Sequence, residues 1–195
     1  YSTAKHFSGN NAHRGGVALF REEKLSNTLL RHYRFLDLIL CEQEAKSLLE
    51  CLADFPERME RFNTNGLRVA EFLDQHPAVQ DVYFPGLKDH PSYKVSKRLL
   101  RGNGSVISWT LNHDNPDSFR EVYDGSWGPI RKAPTLGSNA TLLCPYALVA
   151  HYYATDEELL DLGFPRTVLR IAVGCETKLD EVIAGLDVAL KRSLP

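Results

Sequence analysis

The chain has 195 residues, 43% of them hydrophobic and 25% charged, an ordinary globular composition with enough apolar content to bury a sizeable core. Lys and Arg number 23 against 25 Asp and Glu, a formal charge of −2 with neither sign gathered into a block, so nothing electrostatic points to nucleic acid or an anionic membrane as partner. The apolar runs stop well short of the roughly 18 residues of a membrane span and no basic-then-apolar leader opens the chain, so a soluble, cytoplasmic protein is expected.

The chain opens on "YSTAKHFSGNNAHRGG", a lysine, Lys5, behind small residues and ahead of a Gly- and Asn-rich loop. "GGVALF" then reads as a short strand bounded by glycine and charge. Residues 22–53 turn helical, with Leu25, Leu29, Leu36, Ile39 and Leu40 spaced for one apolar face and Leu48, Leu49 and Leu52 continuing it. Asp54 and Pro56 supply a cap and a first-turn proline for a long helix whose stripe is Met59, Phe62, Gly66, Val69, Ala70 and Leu73, ending at His76-Pro77.

Shorter elements follow. "VQDVYFPG" predicts a strand ended by Pro85-Gly86, "PSYKVSKRLL" a helix, and "SVISWTL" a strand with Ile107, Trp109 and Leu111 on one face. Asn115-Pro116 opens a helix carrying Phe119, Val122 and Tyr123. "APTLGSNATLLCPY" reads as a strand pair joined by a turn at Gly137-Ser138-Asn139. Thr155 with Glu158 has the form of a capping box. "VLRIAVG" is a strand with Leu169, Ile171 and Val173 on one face and Arg170 on the other, and Leu179, Val182, Ile183, Leu186 and Leu190 mark a closing helix.

The pattern implies a two-layer α/β unit after a boundary near residues 53–58, and before it a helical remnant that looks like the end of a domain begun elsewhere. Cys41, Cys51, Cys144 and Cys175 are widely spaced among apolar neighbours, without a C-x-x-C, which predicts buried reduced thiols. His6 and His13 lack nearby carboxylates, so no metal site is expected.

A lysine becomes a nucleophile only where burial or nearby positive charge lowers its pKa; elsewhere it is a solvated ammonium. Lys5 stands out because Ser2 and Thr3 precede it and Gly9, Asn10, Gly15 and Gly16 follow, the small hydroxyls and permissive backbone that a phosphate needs for close approach. The loop is neither a Walker motif nor a Gly-x-Gly-x-x-Gly turn. Arg170, between apolar strand residues, is either an interface ion pair or a fork aimed at a carboxylate or phosphate.

Taken in order, Ser-x-x-Lys with its Gly-rich loop, "ERMERFNTNGLRVAEFLDQHPAVQDVYFPGLKDHPSY", "TLGSNATLL" and "LRIAVGCE" resemble the cystathionine γ-synthase, γ-lyase and β-lyase family, with methionine γ-lyase among its relatives. These are pyridoxal-phosphate enzymes of Cys/Met metabolism, and the resemblance covers the whole chain. It implies the C-terminal portion of an aspartate-aminotransferase-like (fold type I) α/β enzyme. Residues 1–55 would end the large cofactor-binding domain, and residues 56–195 would form a small domain with a mostly antiparallel sheet covered by helices.

The resemblance also implies pyridoxal 5'-phosphate as cofactor, held covalently by Lys5, with Ser2 and Thr3 near its phosphate. Arg170 would grip the α-carboxylate of an amino-acid substrate, with Thr135 beside it. Expected partners are a missing N-terminal half and further copies in a dimer or tetramer. The implied chemistry is β- or γ-elimination, or γ-replacement, on cystathionine or a homoserine ester. The departures from the family pattern are Ala4 for a threonine, Asn10, Asn11 and Ala12 in a Gly-His-x-Asp loop, His13 and Arg14 for small apolar residues, and Ala140-Thr141 for Glu-Ser. They keep two alternatives open: a non-catalytic scaffold of the same fold, or a plain α/β ligand-binding module.

Overall fold

A computed structural model describes residues 1–112 and 115–194, which divide into two compact units, one of them Tyr1–Phe55 and the other beginning at Pro56. In the first unit a π-helical turn, Thr3–Phe7, leads into the glycine-rich loop. Two helices follow: α1, Glu23–Phe35, and α2, Glu42–Cys51. The helical stretch read from sequence is broken between them, where Asp37 takes a left-handed φ of 53°. The expected strand over "GGVALF" does not form. Among the described residues its pairing is limited to one antiparallel bridge, Ser2 to Gly16, with Tyr1 and Val17 exchanging backbone hydrogen bonds beside it.

The apolar face expected of the first helix is present but uncovered within the unit. α1 buries no residue, and Leu19, Phe35, Leu38 and Leu49 are 63 to 87% exposed. Cys41 is exposed and Cys51 half-buried, so the expectation of buried thiols holds for Cys144 and Cys175 only; none of the four is in a disulfide.

In the second unit the helix α3, Phe55–Asp74, buries Phe62, Gly66, Val69, Ala70 and Leu73, the stripe read from sequence. The described strands are β1, Val79–Tyr83; β2, Val106–Leu111; β3, Arg131–Lys132; β4, Leu142–Pro145; and β5, Leu169–Ala172, in the sheet order β1-β2-β5-β4-β3. Pairing is antiparallel except between β3 and β4. That parallel pair corrects the hairpin expected in "APTLGSNATLLCPY": the first strand lies upstream, and residues 133–141 are a loop whose start is tied by Ala133 N–H donating to Leu143 O at 2.9 Å.

The remaining helices are α4, Tyr93–Leu99; α5, Pro116–Asp124; α6, Tyr146–Ala150; α7, Asp156–Asp161; and α8, Leu179–Leu190. α5 starts where Asn115 Oδ1 accepts from the Asp117 and Ser118 amides, and α7 where Thr155 and Glu158 complete their capping box. Strand alternation sorts the sheet into two faces. Ile107, Trp109, Leu143, Leu169 and Ile171 face a core shared with α3, α5 and α8, while Ser108, Cys144 and Arg170 fall on the opposite face.

Two contacts on α3 and at its end fix this layer. A Cβ on Gly66 would lie 2.5 Å from Gly104 O, so the helix approaches the 102–105 turn only because the side chain is absent. Buried His76 accepts from Ala78 N–H at Nδ1 (3.1 Å) and faces Asp187 of α8 through Nε2 (3.5 Å). Burial pushes the His76 imidazole below its usual range, against the pull of Asp187.

Gly66→Ala should therefore cost about 1–3 kcal/mol in urea unfolding, through backbone displacement rather than lost burial. For His76 the folded pKa is depressed, so the unfolded chain binds the proton more readily. Its contribution is intact above a pH of about 6.5 and is lost as pH falls below that value. His76→Asn, whose amide oxygen can replace Nδ1 as the acceptor for Ala78, should flatten the decline in urea midpoint measured between pH about 7.5 and about 5.5.

Candidate active site

The lysine loop is built by its backbone. Thr3 N–H donates to Gly15 O (3.0 Å) and Val17 N–H to Tyr1 O (2.8 Å), closing residues 3–15 into a ring. Inside it the π-turn kinks at Lys5, φ −98° and ψ −127°, and Gly9 and Asn11 take left-handed φ values of 70° and 61°. Asn10 Oδ1 accepts from Ala12 N–H at 2.9 Å, a local turn that explains why an asparagine suits a position where histidine was expected. Phe7 stacks on Phe55 with centroids 5.3 Å apart.

Within this ring Lys5 and Ser2 are exposed and Thr3 is buried. The Thr3 hydroxyl donates to His13 O at 2.9 Å, so its one proton is committed to bracing the loop and is not offered to a phosphate, which is an acceptor only. His13, which replaces a small residue of the family pattern, approaches Cys51 Sγ with its Nε2 at 3.4 Å and ties the loop to α2. Sequence reasoning passed over Ser8, three residues beyond Lys5. Its hydroxyl is buried without a hydrogen-bond partner, as a side chain beside a site for a polar group would be.

In the second unit Arg170 is half-buried on the polar face of β5, opposite Cys144 of β4 and Ser108 of β2. Its Nη2 donates to Pro134 O (2.9 Å) and Thr135 O (3.4 Å). Thus Thr135 is brought to Arg170 through its carbonyl. Among the described residues no carboxylate forms an ion pair with Arg170.

The loop carrying Pro134 and Thr135 is pinned at its far end. Thr141 N–H donates to Glu176 Oε1, Gly174 N–H donates to Thr141 Oγ1 (2.9 Å), and Cys175 N–H donates to Asn139 O (3.0 Å). Buried Asn65 of α3 donates from Nδ2 to Gly174 O and Glu176 O at 3.0 and 3.1 Å. Thr141, a departure from the family pattern, therefore has a structural task, as does the Asn that opens the Asn-x-x-x-Val-Ala run. Burial pushes the Cys144 thiol up, against the opposing pull of Arg170. Among the described residues no group of three His, Cys, Asp or Glu could hold a metal, and no helix is long and apolar enough to cross a membrane.

The structure thus places Ser2, Thr3 and Lys5 in one unit and Thr135 with Arg170 in the other. A lysine amine, an exposed hydroxyl and permissive turns suit an aldehyde bearing a phosphate, and an unpaired guanidinium suits a carboxylate.

The profile of the family described as Cys/Met metabolism PLP-dependent enzyme matches residues 1–191. The chain is 29% identical over 195 residues to cystathionine beta-lyase MetC of Bacillus subtilis, covering all of this chain and 49% of that protein. It is 31% identical over 195 residues to O-succinylhomoserine sulfhydrylase of Mycobacterium tuberculosis, covering 97% and 47%. A crystal structure of cystathionine gamma synthase from Xanthomonas oryzae pv. oryzae, in complex with aminoacrylate and cysteine, superposes with a TM-score of 0.89 at 28% identity, over 98% of this chain and 49% of that one. The chain spans about half the length of these relatives, and the expected α/β fold holds.

Thr3→Val should lower stability by about 1 kcal/mol by leaving His13 O unpaired. Amide exchange at Val17, whose N–H donates to Tyr1 O beside the same closure, should speed up, while Asn65 and its neighbours in the other unit keep wild-type protection.

Proposed function

This chain belongs to the Cys/Met-metabolism family of enzymes dependent on pyridoxal 5'-phosphate, and from that premise we propose that it is the C-terminal half of an enzyme of transsulfuration. The reaction is β- or γ-elimination, or γ-replacement, at the carbon–sulfur or carbon–oxygen bond of cystathionine or a homoserine ester. One observation supports this most: among the described residues Arg170 has no carboxylate partner, and it is held from behind by the Pro134 and Thr135 carbonyls.

Each residue then has a task. Lys5 Nζ would hold the cofactor aldehyde and would move the proton at the substrate Cα. Ser2 binds the phosphate from the edge of the loop, and Thr3 keeps the loop closed. Arg170 binds and orients the α-carboxylate, with the Thr135 backbone setting the fork. Bound pyridoxal phosphate supplies the electron sink that lets negative charge develop at Cα. The amino-acid substrate, a companion N-terminal half, and assembly as a dimer or tetramer in the cytoplasm complete the reading.

A second reading is favoured by a specific feature of the loop. Ala4 has no hydroxyl and Thr3 has committed its own, so of the hydroxyls at residues 2–4 only that of Ser2 is left to a phosphate. A scaffold that kept the fold and lost the cofactor would look like this.

Cofactor titration of the complete protein separates the two. The transsulfuration reading expects a visible absorbance band on adding pyridoxal 5'-phosphate, and a stable mass increase mapping to Lys5 after borohydride. A Lys5→Ala variant should show neither. A wild-type protein with no band and no mass increase supports the scaffold, and a Lys5→Ala variant that keeps both overturns the assignment of Lys5.

A further inference from the structure

The orientation of Arg170 depends on more than the two carbonyls. Hydrogen bonds from Nη2 to Pro134 O and Thr135 O fix one nitrogen but leave the plane of the guanidinium free to swing about it. The plane is set from below, where the Arg170 Cζ lies over the ring of Tyr146, 5.1 Å from its centroid. Tyr146 opens α6, immediately after β4, and its N–H donates to Val168 O at 3.1 Å, anchoring it to the chain that enters β5. The ring is half-buried and cannot turn freely: Phe164 meets it edge-on at 5.9 Å and 66°, His151 at 5.9 Å and 69°, and those two rings pack on each other at 5.6 Å.

The other neighbours leave the charge available. Cys144, directly across from Arg170 in the β4–β5 register, is buried and kept as a neutral thiol at ordinary pH. Ser108, across on β2, carries no charge. Among the described residues Arg170 Nη1 makes no hydrogen bond, and Nε is buried without one.

We propose that Tyr146 is the positioning residue for Arg170, its aromatic face holding the guanidinium plane so that the fork is preset to receive a carboxylate. This rests on reading Arg170 as the carboxylate grip. Preorganisation of this kind raises affinity without a contact of its own to the ligand, because the fork is not ordered at the moment of binding. The interaction requires a ring face, not a hydroxyl.

The test uses the chain as it stands, labelled with nitrogen-15, with sodium acetate as the carboxylate probe. The Arg170 Nε–H resonance, identified by its loss in Arg170→Lys, should be shifted upfield by the ring and should move saturably with acetate. Tyr146→Phe should keep both the upfield position and the wild-type acetate midpoint. Tyr146→Leu should lose the upfield shift and bind acetate about tenfold more weakly, within the range of cation–π energies. A merely structural ring would lower the urea midpoint in Tyr146→Leu and leave the acetate midpoint unchanged, which overturns the proposal. An upfield resonance that ignores acetate in the wild type overturns it differently, by failing the carboxylate reading while the stacking stands. If Tyr146→Leu does not fold, the wild-type spectrum decides: an Nε–H at its random-coil position excludes the stacking.

Discussion

The register that sets Arg170 opposite Ser108 on one side and Cys144 on the other controls the larger unit, because strand side chains alternate and no intermediate setting exists. A slip by one residue would send Leu169 and Ile171 to the polar face and drive a guanidinium into the layer occupied by Trp109, Leu143 and α3. Together these changes cost an amount comparable to the whole stability of a domain of this size. The core therefore places the functional residue without touching it. Bulk hydrophobic burial on one face guarantees an ordered cation on the other, and the 133–141 loop and the Tyr146 ring refine its direction.

The lysine loop is governed by a different constraint. It has almost no apolar content to bury, so its shape comes from backbone hydrogen bonds, two left-handed residues and the hydrogen-bonded Thr3 hydroxyl. Asn10 is accommodated in such a loop by the turn it forms itself, its Oδ1 accepting from Ala12 N–H. The loop does not tolerate a change at Thr3, whose side chain takes part in closing it. The family departures thus fall into two kinds, those the backbone absorbs and those, like Ala4, that remove a group with no replacement.

Much of this was legible in the sequence. The α3 stripe, the alternation of β2 and β5, the capping box of α7 and the α8 face were each read from local periodicity or local capping, and local physics is what decides them. Two of the misreadings were non-local. "GGVALF" has strand composition but pairs only through Gly16 and Val17, with Ser2 and Tyr1, among the described residues, and "APTLGSNATLLCPY" contains one strand whose neighbour, β3, lies upstream and runs parallel. The apolar face of α1 was seen, but periodicity does not say what covers it. For the site, Lys5 and Arg170 were reached through their place in an ordered set of motifs. Tyr146 was missed because an aromatic residue after a proline carries no signal until a register brings an arginine over it, and Ser8 because an unsatisfied hydroxyl is visible only in three dimensions.

The uncovered face of the first unit has a practical meaning for anyone who prepares this chain. Leu19, Phe35, Leu38 and Leu49 lie bare in water on a unit that buries little else. Apolar surfaces of this kind find one another with a probability that grows with concentration, and their attraction weakens as the temperature falls. Cold, dilute solutions with a little denaturant or alcohol will therefore keep the chain dispersed, whereas concentrating it at room temperature invites clumping that has nothing to do with unfolding. Turbidity on warming would then report a sticky surface, and a technician who took it for a melting curve would assign the protein a fragility its sheet does not have.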